Sequence, residues 1–132
     1  MTTFIDTSAL YALLDADDGQ HRSAKQTWTA LLNETTEAVT SNYVIIETTA
    51  LVQNRLGMEA VRTFHEDILP VIRVEWVSDA THQTGVTALL TVARRQLSLV
   101  DCVSFALMRR LGIRRAFAFD EHFAEQGFHL IP

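Results

Sequence analysis

Thr2-Thr3-Phe4-Ile5-Asp6 and, far along the chain, Ala116-Phe117-Ala118-Phe119-Asp120 share one design. Each is a short run of β-branched, aromatic or small apolar residues that ends on an aspartate. Runs of this kind, with no solvent-facing alternation, read as strands buried on both sides. Both are followed by helical patterns rather than hairpin turns. A strand that passes into a helix and then into another strand implies a parallel sheet. The expected fold is therefore α/β: a three-layer α/β/α sandwich around a mostly parallel sheet of four to five strands, with residues 1–132 as a single domain.

The intervening sequence fits this alternation. Ser8 to Leu14 places Leu10, Leu13 and Leu14 on one helical side, and His21 to Leu32 carries Ala24, Trp28, Leu31 and Leu32 at helical spacing. Ala38-Val39-Thr40 reads as a second strand. Ser41 or Asn42 then caps a helix that Gly57 ends. Met58 to Leu69 is expected as a helix stopped by Pro70, and Val71 to Val77 as the plainest strand of the chain. Ser78 or Asp79 caps a helix to about Ala93, Ser98 opens another that ends at Gly112, and Phe128 to Ile131 is a last strand.

Composition narrows the classes of function. A single cysteine, Cys102, rules out an internal disulfide and a cysteine-based zinc cluster. No apolar run reaches the ~18 residues of a membrane helix. The first residues have no basic stretch and meet an acid at Asp6, unlike a secretory signal. A cytoplasmic protein is expected. The glycines at 19, 57, 85, 112 and 127 form no phosphate loop, and the five histidines form no HExxH. The net charge of −5 falls to −1 once four acids are set aside as a possible metal site. Ten of the eleven cations are arginines, three pairs of them at 94–95, 109–110 and 114–115. Those pairs suit RNA phosphates, a solvated face or internal salt bridges equally.

The four acids are Asp6, Glu47, Asp101 and Asp120. Open parallel sheets bind ligands beyond the carboxyl ends of their strands, where Asp6 and Asp120 stand. Each also suits a helix N-cap. Glu47 lies between Tyr43 and Leu51 on one helical face, beside Ile46. A partly buried carboxylate there needs a cation: a metal ion or an arginine. Ser98-Leu99-Val100-Asp101 matches a capping box, while Leu97, Asp101, Phe105 and Met108 make an apolar column that Asp101 opens. If the four converge, their mutual repulsion calls for a hard divalent cation. Oxygen-only donors suit Mg²⁺ or Mn²⁺, and phosphodiester hydrolysis uses such equipment best.

At these positions the chain resembles the PIN domains. Residues 4–10 (Phe-Ile-Asp-Thr-Ser-Ala-Leu), 42–48 (Asn-Tyr-Val-Ile-Ile-Glu-Thr), 97–106 (Leu-Ser-Leu-Val-Asp-Cys-Val-Ser-Phe-Ala) and 117–123 (Phe-Ala-Phe-Asp-Glu-His-Phe) look like the successive motifs of that family. The similarity is greatest to short members of the VapC type, toxins of type II toxin–antitoxin pairs. It implies a Mg²⁺- or Mn²⁺-dependent endoribonuclease that forms a homodimer and is inhibited by a cognate antitoxin protein, with RNA as substrate. It places the metal-binding and catalytic acids on Asp6, Glu47, Asp101 and Asp120, with Asp6 and Asp101 as direct ligands and Thr7 and Ser8 as supporting hydroxyls. Ala118 departs from the family, where Thr or Ser is usual two residues before the fourth acid.

Two other classes compete. A phosphotransfer domain would use Asp6 as nucleophile, but it wants an acid at position 8, which is Ser, and a downstream lysine, whereas Lys25 is the sole one. A non-catalytic metal- or RNA-binding module would retain the acids without turnover. His122 could add a ligand or a phosphate contact, although a surface histidine is the simpler expectation, and Cys102 is expected to pack. Tyr11, Leu14, Trp28, Leu31 and Leu32 make more apolar surface than a small sheet needs. Part of it is expected to make a dimer face and part an antitoxin groove.

Overall fold

Strand β1 (Thr2–Ile5) is the central strand of the sheet, and its Phe4 and Ile5 are fully buried. In the computed structural model, which describes all 132 residues, the chain continues through α1 (Thr7–Leu14), α2 (His21–Asn33), β2 (Glu37–Ser41), α3 (Asn42–Leu56) and α4 (Met58–Thr63). It then forms β3 (Arg73–Glu75), α5 (Asp79–Val92), α6 (Leu99–Leu111), β4 (Arg115–Phe117), α7 (His122–Glu125) and β5 (His129–Ile131). All four strand pairings are parallel, in the order β3-β2-β1-β4-β5. The expected α/β/α sandwich is the observed fold, with five strands.

This order creates one topological switch. From β1 the chain builds outward to β2 and β3, then returns to place β4 on the other side of β1. In parallel sheets with right-handed crossovers, the connections of the two halves lie on opposite faces, and the ligand crevice of such a fold falls beyond the carboxyl ends of the strands at the switch, here β1 and β4. Ile5 pairs with Phe117 across that boundary, and the Asp6 amide donates to the Phe117 carbonyl at 3.0 Å. No helix is long and apolar enough to cross a membrane.

Several boundaries differ from the sequence expectation. The strand expected over residues 71–77 shrinks to Arg73–Glu75 because β3 is an edge strand with β2 as its only partner. Its register runs from Val39↔Arg73 to Ser41↔Glu75, and β2 then turns into α3, leaving Trp76 no strand to pair with. Trp76 is 75% exposed. Helix α4 ends at Thr63 rather than Leu69. A π-helical turn follows over Phe64–Ile68, then a 3₁₀ turn over Leu69–Val71 that contains Pro70. Pro70 therefore lies inside the helical path instead of stopping it. β4 ends at Phe117, not Phe119, because the Phe119 amide turns away to a side chain of α1.

The apolar surplus expected on the first two helices is not there. Leu31 is in the core, and Leu14 and Trp28 pack against it; of this set, Leu32 is the large exposed side chain. Gly57 ends α3 as expected, at φ +93°, a backbone region unfavourable to side chains.

Helices α5 and α6 meet where Gly85 faces Val103. A Cβ built at Gly85 would lie 2.5 Å from Val103 Cγ2 and 3.1 Å from Val103 Cα, so backbone as well as side chain would have to move. Gly85→Ala is expected to lower stability by about 2 kcal/mol, despite the better helix propensity of alanine. Thermal melting checks this, and Val103→Ala in the same protein should return only part of the loss.

Candidate active site

Asp6 stands at the exit of β1 and is 3% exposed. It caps α1, as its position before Thr7-Ser8 suggests: Oδ2 accepts from the Ser8 amide at 3.1 Å and from Ser8 Oγ at 2.7 Å. Both bonds fall on one oxygen, which leaves Oδ1 outside the cap. Burial raises its pKa from 3.8 to about 7; the two Ser8 bonds oppose this, and the charges of Asp101 and Asp120 add to it.

Asp101 is nearly buried on the first turn of α6, where it forms the capping box. Its Oδ2 accepts from the Ser98 amide at 3.0 Å while its own amide donates to Ser98 Oγ at 3.1 Å. Here too one oxygen is committed to the helix end. Burial raises the Asp101 pKa, helped by the charge of Asp120 and opposed by the Ser98 bonds and by nearby His122.

Glu47 is half-buried on α3, and the helix face beside it is less covered than its sequence implies, since Ile46 is 66% exposed. The arginine partner that would explain it structurally is absent, because no ion pair in the molecule includes Glu47. Partial burial raises its pKa, the Thr7 hydroxyl acts against this, and the charges of Asp101 and Asp120 add to it. Thr48 Oγ1 donates to Thr7 Oγ1 at 3.1 Å, a buried bond that holds α3 against α1 beside Glu47.

Asp120 follows β4 by three residues and is partly exposed. Its Oδ1 accepts from the His122 amide at 2.9 Å, the turn that leads into α7. Ser8 fixes this segment, because its Oγ donates to Asp6 and accepts from the Phe119 amide at 3.0 Å. One hydroxyl thus ties the exit of β1 to the approach to Asp120. Ala118 is buried in the core cluster, so a hydroxyl there is not what positions the loop.

The structure thus brings all four acids within electrostatic reach, at the switch between β1 and β4. They are not packed to direct-ligation distance: no group of three or more acidic, histidine or cysteine side chains is arranged to hold an ion alone. The donor set still fits Mg²⁺, which is bound by one or two carboxylates while keeping several waters. Asp6, Asp101 and Asp120 each have one oxygen engaged with backbone and a second outside those bonds.

Two features escaped the sequence reading. His122 is not a free surface residue: its side chain is 17% exposed, and Nδ1 lies 3.3 Å from Glu125. Tyr43, one turn before Glu47, is hydrogen-bonded through its hydroxyl to His82 Nδ1 on α5, a pairing no local pattern announces. The arginine pairs serve mainly as internal ties. Arg94 meets Glu125 and Arg115 meets Glu34, each at 3.0 Å, Arg109 bonds Gln126, and Arg110 bonds Ser78 and Thr81. Lys25, the residue a phosphotransfer site would need, lies exposed on α2. Cys102 is buried, as expected.

Comparison with known proteins bears on the family and the fold. The sequence profile of the PIN domain matches residues 3–128. VapC20 of Mycobacterium tuberculosis, a 23S rRNA-specific endonuclease, is 37% identical over 126 residues, spanning 95% of this chain and 94% of that protein. The crystal structure of M. tuberculosis VapC20, described as a sarcin–ricin-loop-cleaving toxin, aligns with a TM-score of 0.86 at 36% identity, over 97% of this chain and 96% of that one. VapBC2 from Rickettsia felis, solved with a promoter DNA fragment, shares the fold alone: TM-score 0.73 at 13% identity, over 98% and 97% of the two chains. A match over nearly the whole chain, on a fold whose switch point gathers these acids, establishes that the chain belongs to the PIN-domain family.

Proposed function

We propose that this chain is a divalent-metal-dependent endoribonuclease, the toxin of a type II toxin–antitoxin pair, with Asp6, Glu47, Asp101 and Asp120 as its active site. The observation that carries the reading is the convergence of four carboxylates, one of them almost fully buried, with no arginine or lysine paired to any of them. Protonation relieves Asp6 in the metal-free protein; when all four are charged, a cation from solution is the remaining partner. The 23S rRNA cut by the M. tuberculosis relative makes ribosomal RNA the first substrate to test. A cytoplasmic location, a homodimer and a cognate antitoxin belong to the same reading, supported by the family and by the toxin–antitoxin complexes that share the fold.

Asp6 and Asp101 are the direct metal ligands in this reading, because they are the two most buried of the four acids and each keeps one oxygen outside its cap. Glu47 and Asp120, more exposed, hold and orient water. Ser8 and Thr7 fix Asp6 and Glu47 from behind. A bound Mg²⁺ or Mn²⁺ would supply a polarised water and a counter-charge for the phosphate oxygens. Half-buried His122 stands beside Asp101 with its Nδ1 turned to Glu125, which leaves Nε2 as the ring nitrogen available to a phosphate.

Asp101→Asn and Asp6→Asn keep an oxygen for the caps and should fold as the parent does. Each is expected to cut kcat/KM on RNA by at least about 100-fold, and EDTA should abolish cleavage until Mg²⁺ or Mn²⁺ is restored. Wild-type rates in either variant, or in EDTA, would remove the metal-nuclease reading.

Metal-free protein should also show the cost of Asp6 directly. Its folded pKa of about 7 lies above the unfolded value near 3.8, so the folded state binds the extra proton. Stability is then greatest below about pH 4 with respect to this group, and falls as pH rises to about 7, by up to about 4 kcal/mol. Denaturant melts in EDTA across that window should show the decline, and Asp6→Asn or saturating Mg²⁺ should flatten it. A flat profile in the metal-free parent protein would contradict this account of Asp6.

A further inference from the structure

A recess of about 290 Å³ opens beside the acids, lined by Tyr43, Ile46 and Glu47 on one turn of α3 and by Val100 at the start of α6. Glu47 is its sole charged wall, so one of the four acids lines it, and Val100 directly precedes a second, Asp101, on the first turn of α6. The other walls are an aromatic ring and two aliphatic side chains. Ile46 is 66% exposed and does no packing in the core. Tyr43 is held in place from α5, with its hydroxyl bonded to His82 Nδ1 and the two rings edge-on at 5.8 Å.

We propose that this recess is a nucleobase subsite, which takes the base next to the scissile phosphate and thereby contributes to where the RNA is cut. The inference rests on the nuclease reading above and adds to it a site for one base. A phosphate gains nothing from three apolar walls and a carboxylate. A planar base does, because its faces are apolar and stack on aromatic and aliphatic side chains while its polar edge stays at the solvent mouth. The wall is pre-formed, since the His82 bond fixes Tyr43 before any ligand arrives, which limits the entropy lost on binding. Continuity with the acids selects the occupant: an RNA strand whose phosphate lies at Asp101 and Glu47 has an adjoining base within reach of Val100 and Ile46.

The test uses a short RNA that the intact protein cuts, with the cut mapped, and replaces the base on each side of it in turn by an abasic sugar. At one of the two positions the replacement should lower kcat/KM about tenfold. Ile46→Ala, whose side chain is exposed and whose melting temperature should be unchanged, should lower it about fivefold on the intact RNA. Together the two changes should cost about tenfold rather than fiftyfold, because both remove the same contact. Equal abasic losses in the parent protein and Ile46→Ala would overturn the subsite while leaving the nuclease reading in place. A defect in Ile46→Ala that disappears as protein concentration rises would mark the face as a contact between copies and overturn it as well. Failure of the parent protein to cut any RNA would overturn the nuclease reading and the subsite together.

Discussion

A carboxylate covered to 3% exposure, with two further acids, Asp101 and Asp120, close enough to raise its pKa, is the constraint around which the rest of the molecule is organised. Left to itself, such a group takes up a proton near neutral pH rather than remain charged. Two bonds from Ser8 lower that tendency but do not cancel it. The surrounding fold supplies no positive side chain to finish the task, although the chain has ten arginines and ties several of them to acids elsewhere. Positive charge is thus available to the protein and is absent at this place. That distribution makes the crevice a demand for a cation.

Capping and metal binding first look like rival explanations of Asp6 and Asp101. In the proposed site the two are compatible. A cap uses one carboxylate oxygen to satisfy amides at a helix end, and both residues do this with Oδ2. The bonds restrain the side-chain torsion and leave the second oxygen outside the cap. The helix N-terminus also carries partial positive charge, which favours the ionised form of the acid it orients. Capping is thus the means by which the oxygen is positioned.

The fold was legible in outline because its signals are local. Apolar strand runs, cap residues and Gly57 follow from conformational preferences that a few neighbouring residues display. The failures have non-local causes. Val71 to Val77 alternates like a long strand, yet pairing is set by how far β2 extends before turning into α3, and β2 stops at Ser41. Leu31 and Trp28 look surplus only until the core that receives them is assembled. The site divides in the same way. Asp6 and Asp101 could be read from strand exits and a capping box. The half-buried state of His122 and the Tyr43–His82 bond join residues up to 39 positions apart and leave no trace in either neighbourhood.

Ser8 shows how the site absorbs a departure from the family pattern. A hydroxyl is missing at position 118, but that position points into the core cluster, where a polar atom would need a buried partner. The job left undone is to anchor the segment between β4 and Asp120. Ser8 does it from the opposite side of the switch point, donating to Asp6 and accepting from the Phe119 amide. A hydroxyl can do both at once because it carries a donor and acceptor lone pairs, which alanine, valine or a second carboxylate does not offer in that geometry. The coupling has a structural consequence: the buried carboxylate at the exit of β1 and the loop that carries Asp120 are tied to the same hydroxyl. With its proton directed at Oδ2, Ser8 turns its lone pairs to the Phe119 amide.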